Sequence, residues 1–221
     1  MTACHISRTL ASIDASFVTA LLAQYGLCCE SILLCGNEEQ KVRLPPSLAR
    51  LKTTGCFCLT EPQSGSDASD LRTVATKVPG GYQISGSKRW IGNGLTSEVF
   101  IVWAKNANLP GAPVMGFIVQ RSQQSDPRAI KTTKIEGKIS LRMVQNANVG
   151  FRNAYCPDAN AMSDCGKYKK KECEVHIAMS LTTHWLEQSV LERRWQGFSK
   201  HHVCPWHGFL WEFARRPWKR L

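Results

Sequence analysis

Between Leu71 and Tyr155 six short stretches follow one another: "LRTVATKV", "YQISGSKRWI", "EVFIVWA", "VMGFIVQ", "AIKTTKI" and "NVGFRNAY". Each is rich in β-branched and aromatic residues, which suit a pleated, half-buried surface, and turn signals rather than helical periodicity lie between them. Pro79-Gly80-Gly81 is the clearest hairpin turn. Six or more strands with no helix between them predict an antiparallel barrel or sandwich of roughly 100 residues.

What precedes the strands has a different period. From Leu10 to Leu34 apolar residues recur at three- and four-residue steps (Phe17, Leu21, Leu22, Tyr25, Cys28, Cys29, Ile32, Leu33), which predicts a mostly buried helical segment ended by Gly36. Asn37 can cap a second helix, with Glu38 and Glu39 in its first turn and Gln40 at the capping-box position, and Pro45-Pro46 interrupts that pattern. The fold class is therefore α+β, with helices before about Thr54 and strands after it.

The run "FVTALLAQYGLCCESILLCG" is apolar enough to raise a membrane span, but Gln24 and Glu30 would be costly in hydrocarbon, so a buried helix is the better reading. Ten cysteines, mostly inside apolar runs, read as reduced core thiols of an intracellular chain. "MTACHISRTLASIDAS" lacks the basic-then-apolar order of a secretory signal. The net charge of +11 would permit an anionic partner without choosing one.

The chemistry centres on "CFCLTEPQSGSD", Cys56 to Asp67. Read plainly, it is a strand end followed by a Pro/Gly turn. Read for function, Thr60 offers a donor and two acceptor sites at the strand end, and Pro62 stiffens the exit. Gly65 opens the backbone, and Ser66 with nearby amides suits phosphate oxygens. Such a loop fits a flat polar ring next to a pyrophosphate. A second element, "GSKRWIGNG", lies where a hairpin partner should be and could bring Trp90 across from the Thr60 strand; the plain alternative is a core aromatic.

Together with "CGNEEQKVRLPPSLA", "VFIVWAK", "GFIV" and "KIEGKISLRMVQNANVGFRNAYCPD", these motifs stand in the order and spacing of the acyl-CoA dehydrogenase/acyl-CoA oxidase flavoproteins, which residues 8 to 162 resemble. Within that family the chain is similar to the short-chain acyl-CoA oxidases of plant peroxisomes and to glutaryl-CoA dehydrogenases. The resemblance implies that residues 1–54 are the end of a helical N-terminal domain and 55–160 an antiparallel β-barrel middle domain. It implies FAD as cofactor, held by Phe57, Cys58, Leu59, Thr60, Gly65, Ser66, Trp90, Ile91 and Gly92, and an acyl-CoA thioester as substrate, met by Ser66 and Arg142. It further implies association with like chains and, through the plant oxidases, the peroxisome before the mitochondrion. Gly92 stands where family dehydrogenases commonly carry Thr or Ser, which favours an oxidase-like ancestor. Val18 stands where glutaryl-CoA dehydrogenases carry an Arg, which favours a monocarboxylic acyl chain.

The resemblance stops after "AYCPDANAM". The family continues into a helical C-terminal domain that carries the catalytic Glu, and none of its motifs occurs in residues 161–221, so no catalytic residue is assigned and a partial or inactive form is expected. Residues 163–221 instead hold five of the seven Trp and five of the six His, a shift that marks them as sequence of another kind. A metal site at His201, His202, Cys204 and His207 is conceivable, but the spacing is irregular and no paired CxxC occurs. Basic and aromatic residues could touch nucleic acid, but no recognisable module is present. A frameshift, retained intron or mispredicted exon accounts best for the abrupt change, so neither metal nor nucleic acid is expected.

Overall fold

In the computed structural model, which describes residues 3–68 and 70–162, the helical and strand halves meet at Thr53–Gly55. The tail readings above lie outside the described residues. Helix α1 spans Ala3–Ile13 and α2 spans Ala15–Leu22, begun by Asp14, whose carboxylate accepts from Ser16 N at 2.6 Å. A π-helical turn, Ala23–Cys29, carries α2 straight into α3, Glu30–Cys35. Ala15–Cys35 is long and apolar enough to cross a membrane, but Gln24, Cys28, Cys29, Ile32 and Cys35 on it are buried, and the cysteines and Ile32 pack with strand residues. The helix stops before Gly36, as the sequence predicts.

The capping box is present: Asn37 Oδ1 accepts from Gln40 N and Gln40 Oε1 from Asn37 N, starting α4, Glu38–Arg43. The Gln40 amide has a second use, since its Nε2 donates to Ala159 O and Ala161 O and so ties α4 to the far end of the sheet. Pro45-Pro46 does not end the helical region. It opens α5, Pro45–Ala49, because proline fits the first turn, where its missing N–H would have no partner.

Eight strands follow: β1 Gly55–Cys58, β2 Val74–Val78, β3 Gly81–Ile91, β4 Val99–Asn106, β5 Val114–Gln120, β6 Ile130–Lys134, β7 Ala147–Pro157 and β8 Ala161–Met162. They form one sheet in the order β6-β7-β3-β2-β4-β5-β8, with β1 also on β4. Pro79-Gly80 makes the β2–β3 hairpin, pairing Val78 with Gly81. The sheet is mostly antiparallel, as the sequence predicts, with two exceptions: β1 and β2 both run parallel to β4. The reason lies in the register. β1 pairs with Val99–Val102 and β2 with Lys105–Asn106, so the two are pieces of one line alongside β4, broken opposite Trp103 and Ala104.

β4 is buried on both faces. Phe100, Val102 and Ala104 join Ile84, Phe117, Val149 and Phe151 in the cluster enclosed by the curled sheet. The Phe100 and Phe151 rings meet edge to face at 6.0 Å although two strands separate β4 from β7 in the sheet. Val99, Ile101 and Trp103 point the other way, into a second cluster with Cys28, Ile32, Leu48, Ile118 and Met162. Each such side chain withdrawn from water contributes about 1.5–3 kcal/mol. The cysteine reading agrees with the fold: Cys28, Cys29, Cys56, Cys58 and Cys156 are buried thiols outside any disulfide, and burial pushes Cys29 and Cys156 up to about 12.

Candidate functional site

Where the line of β1 and β2 breaks, the chain makes a long excursion, residues 59–73, out of the sheet and back. The break leaves main-chain groups on its neighbours without strand partners, and one side chain fills the gap. Lys88, fully buried on β3, donates from Nζ to Leu59 O (3.0 Å), Trp103 O (2.7 Å) and Glu61 Oε1 (2.9 Å), using its three protons. Glu61, also buried, accepts from Thr73 Oγ1 (2.6 Å), Thr73 N (3.0 Å) and Arg72 N (2.7 Å). The ion pair thus joins both ends of the excursion to β3 and β4. Burial pushes the Glu61 carboxyl up, but hydrogen bonds from Thr73, Lys88 and Arg72 outweigh it and hold the group below its usual range. Burial lowers Lys88, and Glu61 opposes that shift.

On this neck sit the residues that the sequence singled out. Arg89 N donates to Thr60 O at 2.8 Å, so the strand end carrying Thr60 does lie against the strand carrying Trp90. Trp90 is no core aromatic: the residue is 52% exposed, on a backbone of φ 61°, with the Arg89 guanidinium 5.5 Å from its ring centre. Thr60 is half-buried and Ser66 exposed, and neither hydroxyl has a hydrogen-bond partner among the described residues. A side chain at Gly65 would meet nothing within 4 Å, so the loop there is open.

Other members of the predicted set face elsewhere. The Cys58 thiol lies in the enclosed core against Cys56, and Ile91 is buried in the same cluster. Phe57 packs on Trp103, with ring centres 6.0 Å apart. Cys58 and Ile91 could meet a ligand only through main chain, whereas the Phe57 ring is half-buried. Gly92 sits beside the helix, where an added Cβ would make ordinary contacts with Ala23 and Val144 at 3.4 and 3.6 Å.

Arg142 is exposed on the β6–β7 connection. That loop is shaped by Lys138, whose Nζ donates to Leu141 O, Val144 O and Asn146 Oδ1 at 2.6–2.7 Å. It reaches the Trp90 turn through Asn146 Nδ2, which donates to Trp90 O at 3.2 Å. No hydrogen bond or ion pair joins Arg142 to Ser66 among the described residues. Beside the neck a shallow hollow of about 340 Å³ is lined by Pro62, Ser87, Lys88, Arg89, Asn148, Val149 and Gly150.

An exposed flat indole beside the Thr60 strand end, two uncommitted hydroxyls and an open glycine are groups of the kind that a flat, phosphate-bearing cofactor such as FAD would use. Glu61, Lys88 and Lys138 are what the sequence reading passed over. Lys88 had a signal, since it falls in phase with the buried Ile84 on β3, where a charge needs a partner.

Known proteins of one family resemble this chain. The model of the acyl-CoA dehydrogenase N-terminal domain matches residues 1–52, and that of the acyl-CoA dehydrogenase middle domain matches residues 56–154. An acyl-CoA dehydrogenase of Bacillus subtilis is 35% identical over 172 residues, 77% of this chain and 43% of that protein. Among solved structures, a glutaryl-CoA dehydrogenase from Mycobacterium smegmatis in complex with FADH2 superposes with a TM-score of 0.65 at 29% identity, over 75% of this chain and 41% of its own. An acyl-CoA dehydrogenase from Bacillus anthracis complexed with FAD gives 0.64 at 31% identity, over 73% and 26%. The chain thus spans less than half the length of these relatives.

Proposed function

The chain belongs to the acyl-CoA dehydrogenase family, and from that membership we propose that residues 1–54 and 55–160 are its N-terminal and middle domains and supply the FAD-binding part of an acyl-CoA α,β-dehydrogenation site. The observation that carries this reading is the hydrogen bond from Arg89 N to Thr60 O, which sets the uncommitted Thr60 hydroxyl beside the exposed Trp90. When bound, FAD would accept the hydride that leaves the β-carbon of an acyl-CoA.

The roles of this chain's residues follow from their exposure. Thr60 would hydrogen-bond the polar edge of the ring, and Trp90 would cover a flat face and keep water from it. Ser66, on the open loop, would hold pyrophosphate oxygens and face the CoA portion, with Arg142 on the neighbouring loop giving CoA a cation. Leu59, Gly65 and Gly92 let the ligand approach main chain, Cys58 and Ile91 hold that main chain in place from the core, and the half-buried Phe57 ring backs it against Trp103. No general base is assigned among the described residues: Glu61, the carboxylate next to Thr60, is buried and already bonded to Lys88, Thr73 and Arg72. Gly92, lacking the hydroxyl that dehydrogenases of the family commonly carry, favours oxygen as electron acceptor, and Val18 favours a monocarboxylic acyl chain. Like chains are the expected partners.

Titrating FAD into the 221-residue chain, followed by quenching of flavin fluorescence, tests the reading. Thr60→Ala and Ser66→Ala should each weaken binding by about 1 kcal/mol, one net hydrogen bond. Trp90→Ala should weaken it while leaving the unfolding free energy within about 0.5 kcal/mol, as for an exposed side chain. Wild-type affinity in all three variants would refute the assignment. Butyryl-CoA and hexanoyl-CoA, added with oxygen to the FAD-loaded chain, separate a binder from an enzyme.

A further inference from the structure

We propose that the Lys88–Glu61 pair is a positioning clamp for the cofactor edge: it fixes where Thr60 and the 62–71 loop stand relative to Trp90, and so sets flavin affinity without touching the ligand. The inference rests on the FAD reading above and adds to it two residues outside the ligand-contacting set.

The geometry makes the clamp specific. β1 leaves β4 after the Cys58–Val102 pairing, and β2 rejoins it at Val74. Between those points the sheet's main chain holds the segment only near its ends, through Arg89 N to Thr60 O and Lys105 N to Thr73 O. Leu59 is held by the ammonium at 3.0 Å, and Thr60 by the main chain of the residue after Lys88. The return leg, Arg72 and Thr73, is held by the Glu61 carboxylate through three hydrogen bonds. The Glu61 main chain also exchanges hydrogen bonds with Ser64, which folds the loop's first turn back on the clamp. Since Lys88 also bonds Trp103 O on β4, one cation connects β4, the strand end that carries Thr60 and β3, two residues before Trp90. A buried charge pair is costly to desolvate, and apolar residues of like volume often serve stability as well. What apolar residues cannot do is fix three oxygens at set positions.

The test separates positioning from stability. Lys88→Met or Glu61→Gln alone leaves the other member without its ion-pair partner and should lower the urea midpoint. The double variant Lys88→Met/Glu61→Gln removes both charges and should regain most of it. In the full-length double variant the clamp account expects the amides of Arg72, Thr73 and Arg89 to exchange faster, those of the β4–β5 pairing to stay protected, and the FAD dissociation constant to rise roughly tenfold. Unchanged exchange, or faster exchange with wild-type FAD affinity, would overturn it. Thr73→Val, which removes only the hydroxyl bonded to Glu61, provides the same readouts should the double variant fail to fold. A wild-type chain that binds no FAD would overturn the functional reading, and exchange in the apo chain would then decide the clamp alone.

Discussion

Gln24 is a polar residue in an apolar helix, and its amide is fully used: Nε2 donates to Leu48 O at 3.0 Å and Thr53 O at 2.9 Å, and Oε1 accepts from Gly55 N at 2.7 Å. Gln24→Leu would leave the buried Gly55 N and the Thr53 O without partners, while Leu48 O keeps Leu51 N, and we expect a loss of about 2 kcal/mol in urea unfolding. Glu61 makes a second residue-scale prediction. Its carboxyl lies below the usual range in the folded state, so its contribution is complete above the unfolded value near ~4.3 and is lost as the pH falls through the depressed folded value. Stability measured from pH 7 to 3 should fall in acid, and Glu61→Gln should flatten that fall. Both residues were visible in the sequence, Gln24 as an interruption and Glu61 inside the motif, but their partners were not. Those partners lie 11 to 31 positions away, and a local pattern carries no record of them. The Asn37–Gln40 box and the Pro79-Gly80 turn were legible because their partners lie within three residues.

Among the elements, the strands were legible for a related reason: alternation and turn residues are local, and each of the six stretches falls on one of β2 to β7, while the short β1 and β8 lie outside them. Strand direction is not local. β1 and β2 run parallel to β4 because the excursion between them returns the chain to the same side of β4, which composition does not record. The β6–β7 connection behaves likewise. Its shape depends on Lys138, whose three oxygen partners lie within eight residues, and on Leu141 at φ 52°. Lys138→Met should release this loop while sparing the sheet. Faster amide exchange at Val144 and Asn146, with Thr132 and Val149 still protected, would show it, and a global drop in protection would contradict it.

At the scale of the molecule, Gln24 and Gln40 fasten the helices to the two ends of the sheet, so helices and strands should unfold in one transition, the same by far-ultraviolet circular dichroism and by tryptophan fluorescence. Two separate midpoints would show that the fastening is weak. The broken strand has a further consequence, for how the protein tolerates change in length. A residue inserted into a strand turns every later side chain to the wrong face of the sheet. The 62–71 loop is exempt, because Glu61 grips Arg72 and Thr73 directly and β2 takes its register from the hairpin with β3, whatever lies between. Residues added near the open Gly65 should therefore lengthen the loop without shifting β2, making this the place where related chains can differ in length, and where a tag or a foreign peptide can be carried, at little cost to the fold.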